Sequence, residues 1–176
     1  MEGDEWRSVN HAEWYQAEKD YMNDELFDFR GVWKGVKDGN PIALDIYRRH
    51  YSARKYRDGR ERKLFCGPGE KMVLLTTDED ALFVWRKFID DSGQKGVNCA
   101  VFRNEGFTES SFLIIEAVKL ARRRWPDERF YTYVNPRKIK STNPGYCFLK
   151  AGFKKCGTTK GGLIILELAK ETQDAE

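Results

Sequence analysis

Hydrophobic positions along the chain change their spacing several times, and each change marks an element. The clearest unit runs from Val97 to Trp125. Val97, Cys99, Ala100, Val101 and Phe102 form a short apolar run, followed by a polar turn of Arg103, Asn104, Glu105 and Gly106 and then a nearly continuous apolar segment. That order predicts strand, glycine turn and helix. The helix is expected over about Ser110 to Arg124. Its apolar residues (Phe112 to Ile115, Ala117, Val118, Leu120 and Ala121) run almost all round, as in a helix largely buried against a sheet. Arg122, Arg123 and Arg124 suit its negative end, and Pro126 stops it. Phe130 to Val134 (FYTYV) reads as a strand. Strand, helix and strand in succession imply a parallel pair with a right-handed crossover.

The remaining pattern fills in around this unit. Met72–Thr76 and Ala81–Phe88, separated by a polar turn, predict a β-hairpin, and Asp90–Gly96 turns into the Val97 strand. These three strands form an antiparallel meander. Asn40-Pro41 starts a helix bearing Ile42, Leu44, Ile46 and Tyr47. Val32 to Gly39, punctuated by Gly35 and Gly39, reads as a connection. Asn10 with Glu13 fits a capping box ahead of a helix over about His11 to Phe29. Near the other end, Asn143-Pro144 starts a short helix through about Lys150, which Gly152 stops. Phe153–Cys156 and Leu163–Leu168 flank Gly157 to Gly162 as a closing hairpin. The domain organisation is therefore an acidic, aromatic-rich helical extension over 1–39, an α/β (α+β) domain over 40–169 and a polar tail over 170–176.

Composition narrows the class. The chain has 176 residues, 40% apolar and 34% charged, which suits one soluble domain with a full core. No apolar run reaches the roughly 20 residues of a membrane span, so no membrane association is expected. The acidic N-terminus lacks a signal-like apolar core. Cys66, Cys99, Cys147 and Cys156 form no CxxC pair, and His11 and His50 are the only histidines, so no metal is predicted. A reducing, cytoplasmic setting follows.

Charge is unevenly spread. Met1 to Asp28 has nine acids against two bases, and Arg30 to Lys63 has eleven bases against four acids. Either two solvated faces attract each other, or the basic segment meets a polyanion. Within His50–Lys63, Tyr51 and Tyr56 sit among Arg54, Lys55, Arg57, Arg60, Arg62 and Lys63. Cations mixed with stacking aromatics suit a single-stranded or extruded nucleotide, and a solvated loop fits the same residues. Arg137, Lys138 and Lys140 follow the Phe130 strand and could flank the same cleft.

Candidate chemistry gathers in two places. At the glycine turn, the first helical turn leaves unpaired N–H groups that form an anion site with the helix dipole. Arg103, Asn104, Gly106, Phe107, Thr108, Ser110 and Ser111 are its candidate residues, with Thr108 and Ser110 equally readable as helix caps. Near the short helix, Tyr146 and Asn143 are candidates to protonate a leaving group or orient an acceptor. Glu105 and His50 are candidate bases. Cys147 as nucleophile lacks a dedicated base and reads better as a small core residue.

This order of elements resembles the GNAT acyltransferase superfamily over about Ile42 to Leu168. Two motifs carry the resemblance. Arg103-Asn104-Glu105-Gly106-Phe107-Thr108 is similar to the family's acyl-CoA pyrophosphate loop at Arg103 and Gly106, and departs at Thr108, where the family prefers glycine or alanine. Ala151-Gly152-Phe153 after the short helix is similar to the family's closing motif, with Phe148 where a general-acid tyrosine often stands. The resemblance implies a GNAT-like mixed sheet of about six to seven strands, with a splayed parallel pair and helices on both faces. It also implies acetyl-CoA or another acyl-CoA as cofactor. HYSARK, FRNEG and NPGYCFLKAGF together resemble phage-encoded Mom-type DNA-modification proteins. That narrower resemblance implies a phage-type enzyme in a bacterial cytoplasm that acylates a nucleobase or an amino group on DNA. A non-catalytic GNAT-shaped module binding DNA or protein, and a small-molecule amine N-acetyltransferase, are the alternatives.

Overall fold

The computed structural model describes residues 31–170. The expected helix over His11 to Phe29 lies outside the described residues.

Among the described residues, seven strands form one mixed sheet in the order β1-β2-β3-β4-β5-β7-β6. They are β1 (Trp33–Val36), β2 (Glu70–Thr76), β3 (Ala81–Lys87), β4 (Val97–Asn104), β5 (Phe130–Val134), β6 (Lys154–Thr158) and β7 (Ile164–Leu168). Three helices accompany them among the described residues: α1 (Pro41–Arg48), α2 (Ser110–Arg124) and α3 (Tyr146–Lys150). Neighbouring strands are antiparallel except β4 and β5, which are parallel across the α2 crossover. The α+β class, the meander, the parallel pair and the closing hairpin agree with the sequence reading.

The stretch read as a connection, Val32 to Gly39, instead contains β1. It pairs with β2 from Trp33↔Thr76 to Val36↔Val73. Four residues, one of them Gly35, are too few to show an alternation. What holds the strand is Trp33, whose buried indole donates to the Leu113 carbonyl of α2 at 2.9 Å. Trp85 on β3 does the same to Ala117 at 3.0 Å. Two sheet tryptophans thus grip α2 one helical turn apart.

The helix covers the sheet with one face only. Leu113, Ile114, Ala117, Val118 and Ala121 are buried, whereas Phe112 and Ile115 are exposed. The expectation of burial nearly all round is corrected accordingly: the apolar run is wider than the stripe the sheet covers.

The two faces carry separate cores. On the α2 and α3 side, Met72, Leu74, Phe83, Trp85, Phe130 and Leu166 pack with Leu113, Ala117 and Phe148. On the other side, Val73, Leu75, Leu82, Val84 and Val101 pack under Ala43, Leu44, Ile46 and Tyr47 of α1. Asn40 caps α1 by accepting from the Ile42 and Ala43 amides, with Pro41 in the first turn, as its sequence predicts. The third helix starts later than expected, at Tyr146. Gly145 ahead of it takes a left-handed conformation (φ 81°), and a Cβ there would come within 2.7 Å of Leu166. Asn143-Pro144 forms the turn that precedes it.

Candidate active site

The site begins with a local irregularity in β4. Val101 faces Val84 and Cys99 faces Trp85, so Ala100 has no partner residue on β3. The side-chain alternation breaks there too: Cys99 and Phe102 pack on the α2 side, while Ala100 and Val101 both turn to the α1 side. This is a β-bulge, which bends its strand. On the other edge, β4 pairs with β5 at only three positions, the last being Cys99↔Thr132. Beyond that point β4 continues to Asn104 and β5 to Val134 without pairing to each other. The parallel pair therefore diverges beside the bulge.

A cavity of about 360 Å³ fills the divergence. Cys99, Ala100, Thr132 and Tyr133 form its strand walls, with Phe102 and Val134 above them. His50 and Tyr51 close it from the loop after α1, and Asn143, Tyr146 and Cys147 from the start of α3. Three of the four residues proposed for chemistry, His50, Asn143 and Tyr146, are thus brought together. Glu105 is not among the lining residues.

The electrostatics separate these groups. His50 Nδ1 accepts from the Ser52 amide at 3.1 Å, and the ring also hydrogen-bonds the Phe102 backbone. A neutral imidazole has one donor and one acceptor nitrogen, so both are engaged. Burial, then the Arg103 charge, lowers its pKa to about 4. Its ring stacks on Tyr51 at 4.4 Å. Burial also raises the Cys147 and Cys99 thiols, which keeps both protonated at neutral pH and agrees with the reading of Cys147 as a packing residue. Tyr146 is exposed on the cavity side of α3. Phe148 is buried, edge-to-face with Phe102 and Phe153.

Glu105 accepts from Arg49 at 2.6 Å and from Arg103 at 2.7 Å. These guanidinium groups, Arg49 first, lower its pKa to about 2, so it is a weak base at neutral pH. The glycine turn is organised by Asn104. Its amide donates to the Thr108 carbonyl (2.7 Å) and to Ser110 Oγ (3.0 Å), while its carbonyl accepts the Gly106 N–H (3.0 Å). A Cβ on Gly106 would fall 2.0 Å from the Asp80 carboxylate, so glycine is needed for that approach. Phe107 projects into solvent. The N-cap position of α2 is held by Glu109 rather than Thr108 or Ser110; its side chain bonds no helix amide, and its carboxylate accepts from Ser111 Oγ and Lys150 Nζ.

The two basic segments meet at the cavity rim. The Tyr51 hydroxyl hydrogen-bonds the Asn135 backbone, and Ile139 and Ser141 line the cavity. Arg54, Lys55, Arg57, Arg137, Lys138 and Lys140 are all exposed. Tyr56, farther out, lies beneath both Arg60 (5.3 Å) and Arg62 (5.1 Å).

Sequence reasoning missed the bulge at Ala100, the Asn104 brace and the contribution of Thr132 and Tyr133. Only Asn104 left a signal, as an Asx residue two positions before a glycine. Among the described residues, no helix is long and apolar enough to cross a membrane. The fold and cavity define an α+β protein with one divergent parallel pair. No family model matches the chain, and no curated protein matches its sequence.

Proposed function

We propose that this protein is an acyl-group transferase of GNAT-like architecture, acting with an acyl-CoA-type donor on a nucleobase or an amino group of DNA. The observation that carries the reading is the divergence of β4 from β5 at a bulge, with a cavity between them that His50 and Tyr51 of one basic segment and Ile139 and Ser141 of the other line. A parted strand pair admits a slender chain and sets it beside an acceptor, and such placement accounts for a large part of transfer rates.

The residues fit the donor in part. The start of α2 and the Arg103 side chain suit a diphosphate. The Gly106 amide, however, is engaged by Asn104, and Glu109 and Asp80 place carboxylates nearby. Bound acyl-CoA would supply the activated thioester. Ala100, unpaired by the bulge, is the candidate to orient the acyl oxygen through its backbone. Tyr146 is the candidate to give its phenolic proton to the departing sulfur, because Phe148, at the family's tyrosine position, has no hydroxyl. His50, neutral with both nitrogens engaged, shapes the wall. The Arg54–Arg57 and Arg137–Lys140 segments would hold phosphates on either side of the opening.

The Arg103–Glu105–Arg49 pairing favours a second reading, a GNAT-shaped DNA-binding module without transferase activity. Titration with acetyl-CoA, followed by mass spectrometry of nucleosides from DNA exposed to the protein in cells, separates the two. The transferase reading expects donor binding below millimolar concentration and a new nucleoside that is lost with Tyr146→Phe. No donor binding and unmodified DNA would overturn it.

A further inference from the structure

The sheet leaves the outer side of α2 partly uncovered. Phe112 and Ile115 are exposed there, and Lys119 and Arg122 continue the same stripe at helical spacing. Beside this stripe a second cavity, of about 480 Å³, opens between α2, the end of α3 and the β6–β7 hairpin. Its volume falls within the roughly 300–1,000 Å³ of ordinary binding clefts. Ile115, Val118 and Leu168 give it an apolar floor, and Lys119, Arg122 and Lys154 stand around it. Among its lining residues Glu167 is the one carboxylate, and it is bound to Arg129. Arg122 donates to the Ala169 carbonyl at 3.2 Å, which keeps its guanidinium at the groove. Lys119 pairs with Glu116 in a surface contact that exchanges at little cost.

The point where the chain enters the fold indicates an occupant. The described chain begins at Gly31, and Val32 and Trp33 pack on the α2-side core. The Trp33 indole is bonded to the Leu113 carbonyl, and Leu113 lies just before Ile115 on α2. From Leu113 to Arg122 the helix rises about 14 Å, whereas residues 1–30 reach about 45 Å even when coiled as a helix. They are delivered to this face with length to spare. Their composition matches it: nine acids against two bases over Met1–Asp28, with Tyr15, Met22, Leu26 and Phe29 interspersed. The basic segment after α1 also offers charge, but it follows a helix packed on the opposite face of the sheet. The groove offers charge and an apolar floor together, on the face where the chain enters.

We propose that the groove beside α2 is the docking surface of the chain's own acidic segment, residues 1–30. Apolar residues of the segment cover Ile115, Val118 and Leu168, and its carboxylates meet Lys119, Arg122 and Lys154. The covered apolar area supplies most of the stabilisation, and the charges fix the orientation. The docked segment rests on Ala151 and Gly152 just past α3, the helix whose other end carries Tyr146 in the cavity between β4 and β5. It also keeps the chain's own acids away from the basic segments at 54–63 and 137–140. The two cavities share no lining residue, so the docking does not rest on the transferase reading.

Carbodiimide coupling of the full chain, which joins a lysine amine to a carboxylate in contact with it, tests the assignment. Peptide mapping is expected to link Lys154 or Lys119 to acids between Glu13 and Asp28, within one chain and at a yield independent of protein concentration. Chymotrypsin gives a second readout, since Trp14, Tyr15, Tyr21 and Phe27 are its targets within the segment. Ile115→Glu, at an exposed position, removes apolar contact and adds repulsion. It is expected to speed cleavage within residues 1–30 about tenfold while sites in 31–170 stay protected. Lys154→Glu should act in the same direction. Links from these lysines only to residues 171–176, links only between isotopically mixed chains, no link to the segment, or cleavage unchanged by both variants would overturn the proposal.

Discussion

His50 shows how much one environment changes a residue. As a sequence feature it is a histidine beside arginines, open to acid–base work. In the fold it is a neutral wall residue with both nitrogens engaged and a pKa lowered to about 4. The unfolded chain protonates it near 6.5, whereas the folded chain resists. The folded state therefore loses stability as pH falls from about 6.5 to about 4, and the loss levels off below that. Ring NMR signals should titrate near pH 4, and His50→Gln should flatten this part of the denaturation-midpoint profile. A ring midpoint near 6.5 would show that the pocket does not hold it neutral. Glu105 is lowered as well, but by pairing with two arginines that hold it ionised rather than by burial, so the two candidate bases are silenced by different means.

At the scale of elements, legibility followed local pattern. The helix over Ser110–Arg124 and the strand over Phe130–Val134 could be read because a long apolar run, or a run of aromatic and β-branched residues, lies in one stretch. β1 could not, since four residues held by one tryptophan carry no period. The bulge at Ala100 is also invisible in sequence, because it is a relation between β3 and β4. The start of α3 shows how a turn sets an element. Gly145 needs its left-handed backbone and the space beside Leu166 and Val134. Gly145→Ala should cost about 2 kcal/mol, from the left-handed penalty and the crowding. In a domain of this size that corresponds to a Tm lower by roughly 4–8 °C in a thermal melt. An unchanged Tm would mean that the turn relaxes freely.

For the whole molecule, the relevant feature is where opposite functions meet. His50 and Tyr51, and Ile139 and Ser141, are far apart in sequence, yet they border one opening, each pair next to a basic segment. If both segments grip phosphates, DNA affinity will fall steeply as salt rises. Arg54→Ala and Arg137→Ala should each reduce the slope of log affinity against log salt by about one, with additive effects in the double variant. A slope unchanged by either substitution would remove the segments from the interface.

The three-position pairing of β4 with β5 has one more consequence. It is the narrowest seam in the sheet, and it coincides with a division of the chain: β1 to β4 with the two longer helices come from residues before 125, and β5 to β7 with α3 from residues after 129. A break in the backbone near Asp127 would leave two pieces, each carrying whole strands and neither carrying a whole cavity. Rejoined, they would rebuild it, so the seam that opens a binding space also marks the place where this protein can be made into a two-part switch.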